Sequence, residues 1–149
     1  MSKASSPRAD EGLPPEDVLR KLRIPFVRKA TLEHGGRTED VFVIDVAIDG
    51  LFVERAEALP VGTEVTLRMR LPGNEFPFEA RCRVAWWHPA QAPLSSKSLP
   101  AGIGLTILEA SESSRSRLRE HVEEYCRQDP TVRRFLRHWP EAERKGDDP

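Results

Sequence analysis

The feature that most constrains the fold is an alternation of apolar and polar residues along three separate stretches of the chain. In "EFPFEARCRVAWW" (75–87) an apolar residue stands at every second position from Phe76 to Trp86. The stretches "TEVTLRMRL" (63–71) and "GIGLTIL" (102–108) alternate in the same way. Since successive side chains of a strand point to opposite faces, a period of two predicts half-buried antiparallel β-strands.

The strands predicted from this pattern are enough to close a barrel. The segment "LPGNE" (71–75) carries the Pro, Gly and Asn of a hairpin loop, so the strands on either side of it should pair. Short connections and one apolar face per strand favour a closed barrel, which leaves no exposed edge. The predicted fold class is mainly β, a six-stranded antiparallel β-barrel with C-terminal α-helices. We place its strands at residues 24–33, 39–46, 50–55, 63–71, 76–87 and 102–108.

A helical period of 3.6 replaces the period of two after the last strand. Ser111 is a candidate N-cap for a helix that ends near residue 128. The apolar stripe of this helix comprises Leu118, Val122, Tyr125 and Cys126.

A second C-terminal helix is predicted over residues 129–140. Asp129 suits its N-cap, Pro130 its first turn and Pro140 its end. From Arg127 to His138 there are four Arg against one Asp, a net charge of +3. This stripe either folds back on the barrel or on the first helix, or serves as a partner-binding face. Its apolar members are Val132, Phe135, Leu136 and Trp139.

The chain is expected to be one domain between two polar ends. A length of 149 residues suffices for a single domain with a core of its own. Both ends are rich in charged residues and proline, which predicts disorder over residues 1–15 and 141–149. The barrel with its appended helix then occupies residues 16–128, and a short helix over residues 16–22 is compatible with the sequence before the first strand.

Composition argues against several classes of protein. Lys and Arg (23) nearly balance Asp and Glu (24), which does not fit a dedicated nucleic-acid-binding or membrane-surface protein. No run of about 18 apolar residues occurs, and the N-terminal segment has no apolar centre, so neither a spanning helix nor a secretory signal is predicted. Cys82 and Cys126 lack metal-site spacing and are expected to be reduced core residues of a cytoplasmic protein.

Catalytic constellations are not visible in the sequence. The four histidines lack the spacing of metal ligands. The serines of the loop before residue 100 are not set in a nucleophile elbow, and no paired carboxylates or Cys–His pair stand out. We therefore expect no enzyme, no metal and no bound cofactor.

The order of the segments "RIPF", "DVAIDGLFVE", "LPVGTEVTLRMRLPG", "ARCRVAWW" and "GIGLTIL", followed by an amphipathic helix, resembles a PilZ domain. This family of small bacterial β-barrels is known as a receptor for cyclic di-GMP. The resemblance runs from about Arg20 to Gln128. It implies a six-stranded barrel with an appended helix, in agreement with the periodicity. It also implies a regulatory module of bacterial signalling, since family members commonly regulate motility, cell polarity or exopolysaccharide output.

The family binds its ligand in part through an RxxxR segment at the entrance to the first strand. Arg23, directly before "IP", matches the second arginine of that pattern. The first arginine falls at Leu19, and Arg20 stands one place late, so the spacing is not restored.

The other part of the family motif is [D/N]xSxxG at the end of the second strand. Asp45 and Gly50 match it, and Ala47 stands at the serine position. From residue types alone, Asp45–Gly50 is equally an ordinary turn between strands, with the glycine at positive φ. The nucleotide-binding positions that the resemblance implies are Arg20, Arg23, Asp45, Ala47 and Gly50.

These departures should weaken binding of a cyclic dinucleotide. One lost arginine–phosphate contact costs about 1.5–3 kcal/mol, or roughly ten- to a hundredfold in affinity. A lost serine hydroxyl costs about 1 kcal/mol more. Restoring the pattern with Leu19→Arg and Ala47→Ser is expected to tighten binding by about one to two orders of magnitude.

The sequence therefore predicts a non-enzymatic PilZ-type regulatory or adaptor protein that acts through protein–protein contacts, with weak or absent cyclic di-GMP binding. The alternative is a functional cyclic di-GMP receptor that uses Arg23, Asp45 and a displaced Arg20. The expected partner is an unidentified bacterial protein, for example of a motility or polarity system. Neither nucleic-acid binding nor membrane insertion is expected.

A partner surface is predicted from the alternation of inward-facing and outward-facing residues along the strands. The same alternation places Trp86 in the core and Trp87 outward, beside His88, where it can contact a partner. It also points four arginines outward on two paired strands, where they should form one basic patch: Arg68, Arg70, Arg81 and Arg83.

Overall fold

The computed structural model describes residues 13–73, 75–89 and 100–129. Its antiparallel strands close into a barrel in the order β1-β2-β3-β6-β5-β4, which confirms the predicted fold class. Within these residues, one helix precedes the barrel and one follows it. The elements are α1 (Glu16–Lys21), β1 (Ile24–His34), β2 (Arg37–Ala47), β3 (Gly50–Glu54), β4 (Glu64–Leu71), β5 (Phe76–His88), β6 (Gly102–Ala110) and α2 (Glu112–Gln128).

The barrel interior is filled by the apolar residues that alternate along each strand. The predicted hairpin between β4 and β5 is confirmed, with Leu71 opposite Phe76. Along β4, Leu67 and Met69 are buried while Arg68 between them is exposed. Side chains from all six strands meet in one core that includes Leu32, Val43, Val53, Leu67, Cys82, Val84, Ile103 and Leu105.

Helix α2 closes one end of the barrel. Its N-cap is Ser111, as predicted, because the Ser111 hydroxyl accepts a hydrogen bond of 3.0 Å from the backbone N–H of Ser114. The ring of His121 on α2 meets the ring of Phe26 on β1 edge to face, with centroids 5.0 Å apart. The face of α2 turned to the barrel is buried and consists of Ser114, Leu118, Val122 and Cys126.

The barrel is closed by a short contact between β1 and β4. These strands pair only between Ala30 and Glu33 on β1 and between Thr66 and Met69 on β4. Strand β1 nevertheless begins at Ile24, and β4 continues to Leu71. The two strands therefore separate beyond the Ala30–Met69 pair.

The prediction that Trp86 faces the core and Trp87 faces outward is wrong. A β-bulge between Val84 and Trp86 shifts the register of β5 on β6 by one residue. As a consequence Trp86 lies on the outer face and stacks on Phe52, with ring centroids 5.2 Å apart. Trp87 instead packs against the core. Trp87 is therefore not an outward contact residue.

The signal for this shift was present in β6. Gly102 and Gly104 occupy its outer face at successive alternate positions. A Cβ at Gly104 would lie 2.0 Å from Nε1 of Trp86, and a Cβ at Gly102 would lie 2.6 Å from Cζ of Phe52. Two glycines at this spacing leave room for aromatic rings that lie flat across the strand.

The ends of the described chain differ in part from the expectation, and residues 1–12 of the predicted N-terminal tail lie outside it. The tail predicted over residues 1–15 is too long, because Leu13 packs against the core and Pro14 is buried. Asp129 is the C-cap of α2. The remainder of the predicted second helix, residues 130–140, and the predicted tail over 141–149 lie outside the described residues.

Candidate functional site

The motif positions on β2 and β3 lie at a tight hairpin. The two strands are joined through Ile48 and Asp49, with Ala47 opposite Gly50. A register shift between Val43 and Asp45 resets the alternation of β2. Val46 consequently points into the core, while Asp45 and Ala47 point to the outer face.

Gly50 is required by close packing between strands. A Cβ at this position would lie 2.5 Å from the carbonyl oxygen of Leu105 on β6, a distance that real Cβ atoms do not tolerate. The φ angle of Gly50 is not in the left-handed region, so the expected positive φ is wrong. The glycine of the motif therefore serves the approach of β3 to β6 in this chain.

Arg23 and Asp45 form an ion pair on the outer face. Nη1 of Arg23 donates to Oδ1 of Asp45 at 2.6 Å. The side chain of Arg23 is 39% exposed and that of Asp45 17% exposed. Arg23 directly precedes β1, and the β1–β2 pairing places Pro25 opposite Asp45, which brings the two charges together. The two retained polar positions of the family motif are thus neighbours, as the resemblance implies.

Arg20 lies at the turn of the same hairpin, on the last turn of α1. Its Nη1 donates to both carboxylate oxygens of Asp49, at 3.1 and 2.9 Å. Its Nε lies 3.1 Å from Oε2 of Glu16, one helical turn earlier. Asp49 was not singled out in the sequence, although it stands directly before the motif glycine. Arg20 and Arg23 therefore lie along one hairpin, each beside a carboxylate.

Leu19 occupies the position of the missing first arginine and is part of the core. Its side chain is 2% exposed and packs with the core cluster of the barrel. In helix α1, Leu19 faces inward while its neighbour Arg20 faces solvent. The variant Leu19→Arg would place a cation in this apolar environment. Burial at position 19 therefore argues against the gain in affinity predicted for Leu19→Arg.

A chain of ion pairs connects the hairpin to α2. Glu16 bridges Arg20 and Arg119, and Arg119 also donates to Oε2 of Glu123 at 2.9 Å. The hydrogen bond from Arg119 holds the pKa of Glu16 below its ordinary value. The hairpin turn at Asp49, helix α1 and helix α2 are therefore joined by one continuous set of charged contacts.

An aromatic surface adjoins the Arg23–Asp45 pair. Phe52 on β3 stands opposite Asp45, and across β6 its ring meets Trp86. The ring of His88 contacts both rings edge to face, each at 6.3 Å between centroids. Phe52 is fully buried, so Trp86 and His88, which are partly exposed, form the outer part of this cluster.

The four outward arginines of β4 and β5 are exposed, as the alternation predicts, but they do not form one basic patch. Arg81 bonds Glu64 and Glu109, at 2.6 and 3.1 Å. Arg68 lies 3.0 Å from Oε1 of Glu33 and 3.5 Å from Oε2 of Glu79. Strand pairing brings these carboxylates beside the arginines, so that the positive charges are neutralised. The alternation along a single strand does not reveal these neighbours. The surface is a mixed-charge one, and the partner role of Arg68, Arg70, Arg81 and Arg83 stays a prediction.

A cavity formed by described residues lies away from the hairpin. It has a volume of about 590 Å³ and lies on the outer face of β1, β4 and β5, where β1 and β4 separate. We call it the β1–β4 groove. Its lining consists of Arg28, Lys29, Ala30, Thr31, Asp40, Arg68, Met69, Arg70, Glu75, Pro77, Phe78 and Glu79.

The cysteines are buried, unpaired thiols. Burial raises the pKa of Cys82 to about 12 and also raises the pKa of Cys126, so both are poor nucleophiles. In the placed part of the chain, no three His, Cys, Asp or Glu side chains are grouped so that they could hold a metal ion. Neither of the two helices there has the length and apolar character of a membrane span.

Comparison with known proteins identifies the family. The sequence profile of the PilZ domain matches residues 18–124, which is most of the chain. The chain therefore belongs to the PilZ domain family. No curated protein matches the sequence.

The solved structures that match this chain are distant from it in sequence. The Bacillus subtilis inhibitor of motility, MotI/DgrA, is 18% identical with a TM-score of 0.56, over 69% of this chain and 48% of that chain. The chain thus spans about half the length of MotI/DgrA. The PilZ domain of CeSA from a cellulose-synthesizing bacterium is 16% identical, with a TM-score of 0.47 over 68% of this chain and 94% of that one. The Borreliella burgdorferi PlzA protein, solved in complex with c-di-GMP, is 13% identical, with a TM-score of 0.49 over 83% of this chain and 58% of that chain.

Proposed function

We propose that this PilZ protein is a non-enzymatic regulatory or adaptor module that acts through protein–protein contacts and binds cyclic di-GMP weakly or not at all. The observation that carries the proposal is the burial of Leu19. The family pattern needs a cation there, and this chain has a core side chain that anchors α1 to the barrel.

The charges around the hairpin support the same conclusion. Arg20 and Arg23 are both within hydrogen-bond distance of carboxylates, Asp49 and Asp45. These four side chains have no net charge, whereas a cyclic dinucleotide brings two phosphates. Binding would have to replace each carboxylate by a phosphate, so the gain is smaller than for unpaired arginines.

The alternative is a cyclic di-GMP receptor in which Arg20 replaces the missing arginine. It is favoured by the position of Arg20, which reaches the turn of the same hairpin that carries Asp45 and is about half exposed. An exposed arginine on a short helix can reorient at little cost, so a second phosphate contact is within the reach of this chain.

Calorimetric titration with cyclic di-GMP at low salt separates the two functions. We expect a dissociation constant of about tens of micromolar or weaker for the wild type, because one arginine contact and one hydroxyl contact are missing. Any such residual binding should disappear in Arg23→Ala. The matched control is Arg83→Ala, an exposed arginine on β5 outside the hairpin, which should leave the heat of binding unchanged.

A submicromolar affinity that is lost in both Arg20→Ala and Arg23→Ala would establish the receptor function in place of the adaptor function. The partner we propose is a bacterial protein of a motility or polarity system, because these are processes that PilZ proteins commonly regulate.

A further inference from the structure

We propose that the β1–β4 groove binds a short acidic peptide segment of a partner protein, with an apolar side chain next to its carboxylates. The inference builds on the proposed adaptor function and names the surface through which it works. It concerns a face of the barrel separate from the Arg23–Asp45 hairpin.

The groove exists because two strands separate. Pairing between β1 and β4 stops at Ala30 and Met69, and the groove of about 590 Å³ extends across this point, from the paired Thr31 and Arg68 to Arg28 and Arg70. That volume is within the range of pockets that hold a small ligand or a few side chains. Exposed apolar surface within it comes from Pro77, because Phe78 and Met69 are only 1% and 6% exposed. The groove therefore offers a shallow apolar contact beside its charged side chains.

Arg70 is the cation of the groove whose charge is least neutralised. Its Nη1 donates to the backbone carbonyl of Glu75 at 3.0 Å, and among the described residues its guanidinium has no carboxylate within ion-pair distance. Arg28 and Arg68, by contrast, contact Glu75 and Glu33 at 3.3 and 3.0 Å. A carboxylate that reaches Arg70 would gain a charge-assisted hydrogen bond without displacing an existing carboxylate.

The overall charge of the lining selects the type of occupant. Four cations and three carboxylates line the groove, a net charge of +1. A polyanion such as nucleic acid would meet the carboxylates of Asp40, Glu75 and Glu79, so the lining suits one or two negative charges. A second copy of this chain would bring its own Arg70 toward the groove and repel it. An acidic segment of another protein has neither problem.

Recognition should occur through side chains and not through addition of a strand. Nη1 of Arg28 donates to the carbonyl oxygen of Arg70 at 2.8 Å and so occupies a backbone acceptor at the opening. Pro25, near the start of β1, has no N–H to donate. Both features protect a strand edge against pairing. Phe42, 47% exposed and opposite Lys29 on the neighbouring strand, extends the apolar surface at the rim.

Methyl NMR of methionine provides a direct test, because the chain has only two methionines and one of them is Met69. The full-length protein is labelled at its methionine methyl groups and titrated with the tripeptide acetyl-Glu-Phe-Glu-amide. We expect a saturable shift of the Met69 signal, with an affinity that falls at least about fivefold in Arg70→Glu. The matched control Arg37→Glu reverses an exposed arginine outside the groove and should keep the wild-type affinity.

Two further peptides test the chemistry of the occupant. Acetyl-Gln-Phe-Gln-amide lacks the charges, and acetyl-Glu-Ala-Glu-amide lacks the apolar anchor; each should bind at least about threefold more weakly. The proposal is overturned if Met69 does not shift, if Arg70→Glu binds as tightly as the wild type, or if a ten-nucleotide DNA strand shifts Met69 at lower concentration than the peptide. Failure of the proposed function is seen separately, as tight binding of cyclic di-GMP in the calorimetric titration.

Discussion

The positions that the family motif singles out, together with Arg20, divide into a buried group and an exposed group. Leu19, Ala47 and Gly50 are buried, while Arg20 and Arg23 lie at the surface beside carboxylates. Both positions that depart from the family pattern, 19 and 47, belong to the buried group. Leu19 packs in the core of the barrel, and Ala47 is buried on its outer face. The glycine at position 50 likewise serves packing, between β3 and β6.

The largest effect is expected from a charge introduced into the buried group. Leu19→Arg should lower the free energy of unfolding by about 3–5 kcal/mol, because it removes a core side chain and buries a cation. Urea denaturation measures the change. The control is Arg20→Leu at the adjacent, exposed position, which should change stability by less than about 1 kcal/mol. If Leu19→Arg unfolds at the wild-type urea concentration, position 19 is accessible to solvent and does not belong to the buried group.

A smaller effect is expected from one methyl group at Gly50. Gly50→Ala should destabilise the protein by about 1–3 kcal/mol, because its Cβ would lie 2.5 Å from a backbone carbonyl oxygen and β3 would have to move away from β6. Thermal denaturation gives the measurement. The neighbouring variant Asp49→Ala removes only an exposed ion pair with Arg20 and should cost less than about 0.5–1 kcal/mol. Equal costs for the two variants would contradict a packing role for Gly50.

The smallest effect concerns a partly buried ion pair network away from the motif. Oε2 of Glu39 lies 2.9 Å from Nε2 of His34 and 3.0 Å from Nη2 of Arg55. Partial burial alone would raise the pKa of Glu39, but hydrogen bonds from His34 and Arg55 outweigh it and lower that pKa. A lowered folded-state pKa stabilises the protein above the unfolded value of about 4.3, and this stabilisation is lost as the pH falls through the folded-state pKa.

Glu39→Gln should therefore cost about 1 kcal/mol at pH 7 and progressively less below about pH 4. Urea denaturation at several pH values measures the difference from the wild type. Asp49→Asn, in the more exposed pair with Arg20, is the comparison and should cost less at pH 7. A pH-independent cost of Glu39→Gln would mean that the carboxylate charge does not contribute.

The sequence predicted the fold closely and the site only in outline. Strict alternation and the turn residues between strands suffice for six strands and for the pairing of β4 with β5, because each strand has one buried face. The β-bulges at Ile44 and Ala85 add one residue each and reverse the alternation beyond them. Ala85 carries no local signal for such an insertion, so Trp86 and Trp87 were assigned to the wrong faces. Only the alternate glycines of β6 indicated which rings lie outside.

The electrostatics of the site could not be predicted for a different reason. Arg20 meets Asp49, and Arg81 meets Glu64 and Glu109, across different elements of the chain. Which charges become neighbours depends on the pairing register between strands and on the orientation of α1. Neither can be predicted from the residues of one strand. The groove between β1 and β4 likewise results from where their pairing stops, and no residue type marks that point.

The burial of Leu19 has a consequence for the history of this sequence. Because the leucine anchors α1 in the core, a single substitution back to arginine would unfold the end of the domain before it could create a ligand contact. Descendants of such a chain can regain a second phosphate-binding arginine only if another residue first takes over as the anchor, or if the cation comes from a new position such as 20. Position 19 therefore serves the fold first, and a ligand contact there would come at the expense of the anchor of α1.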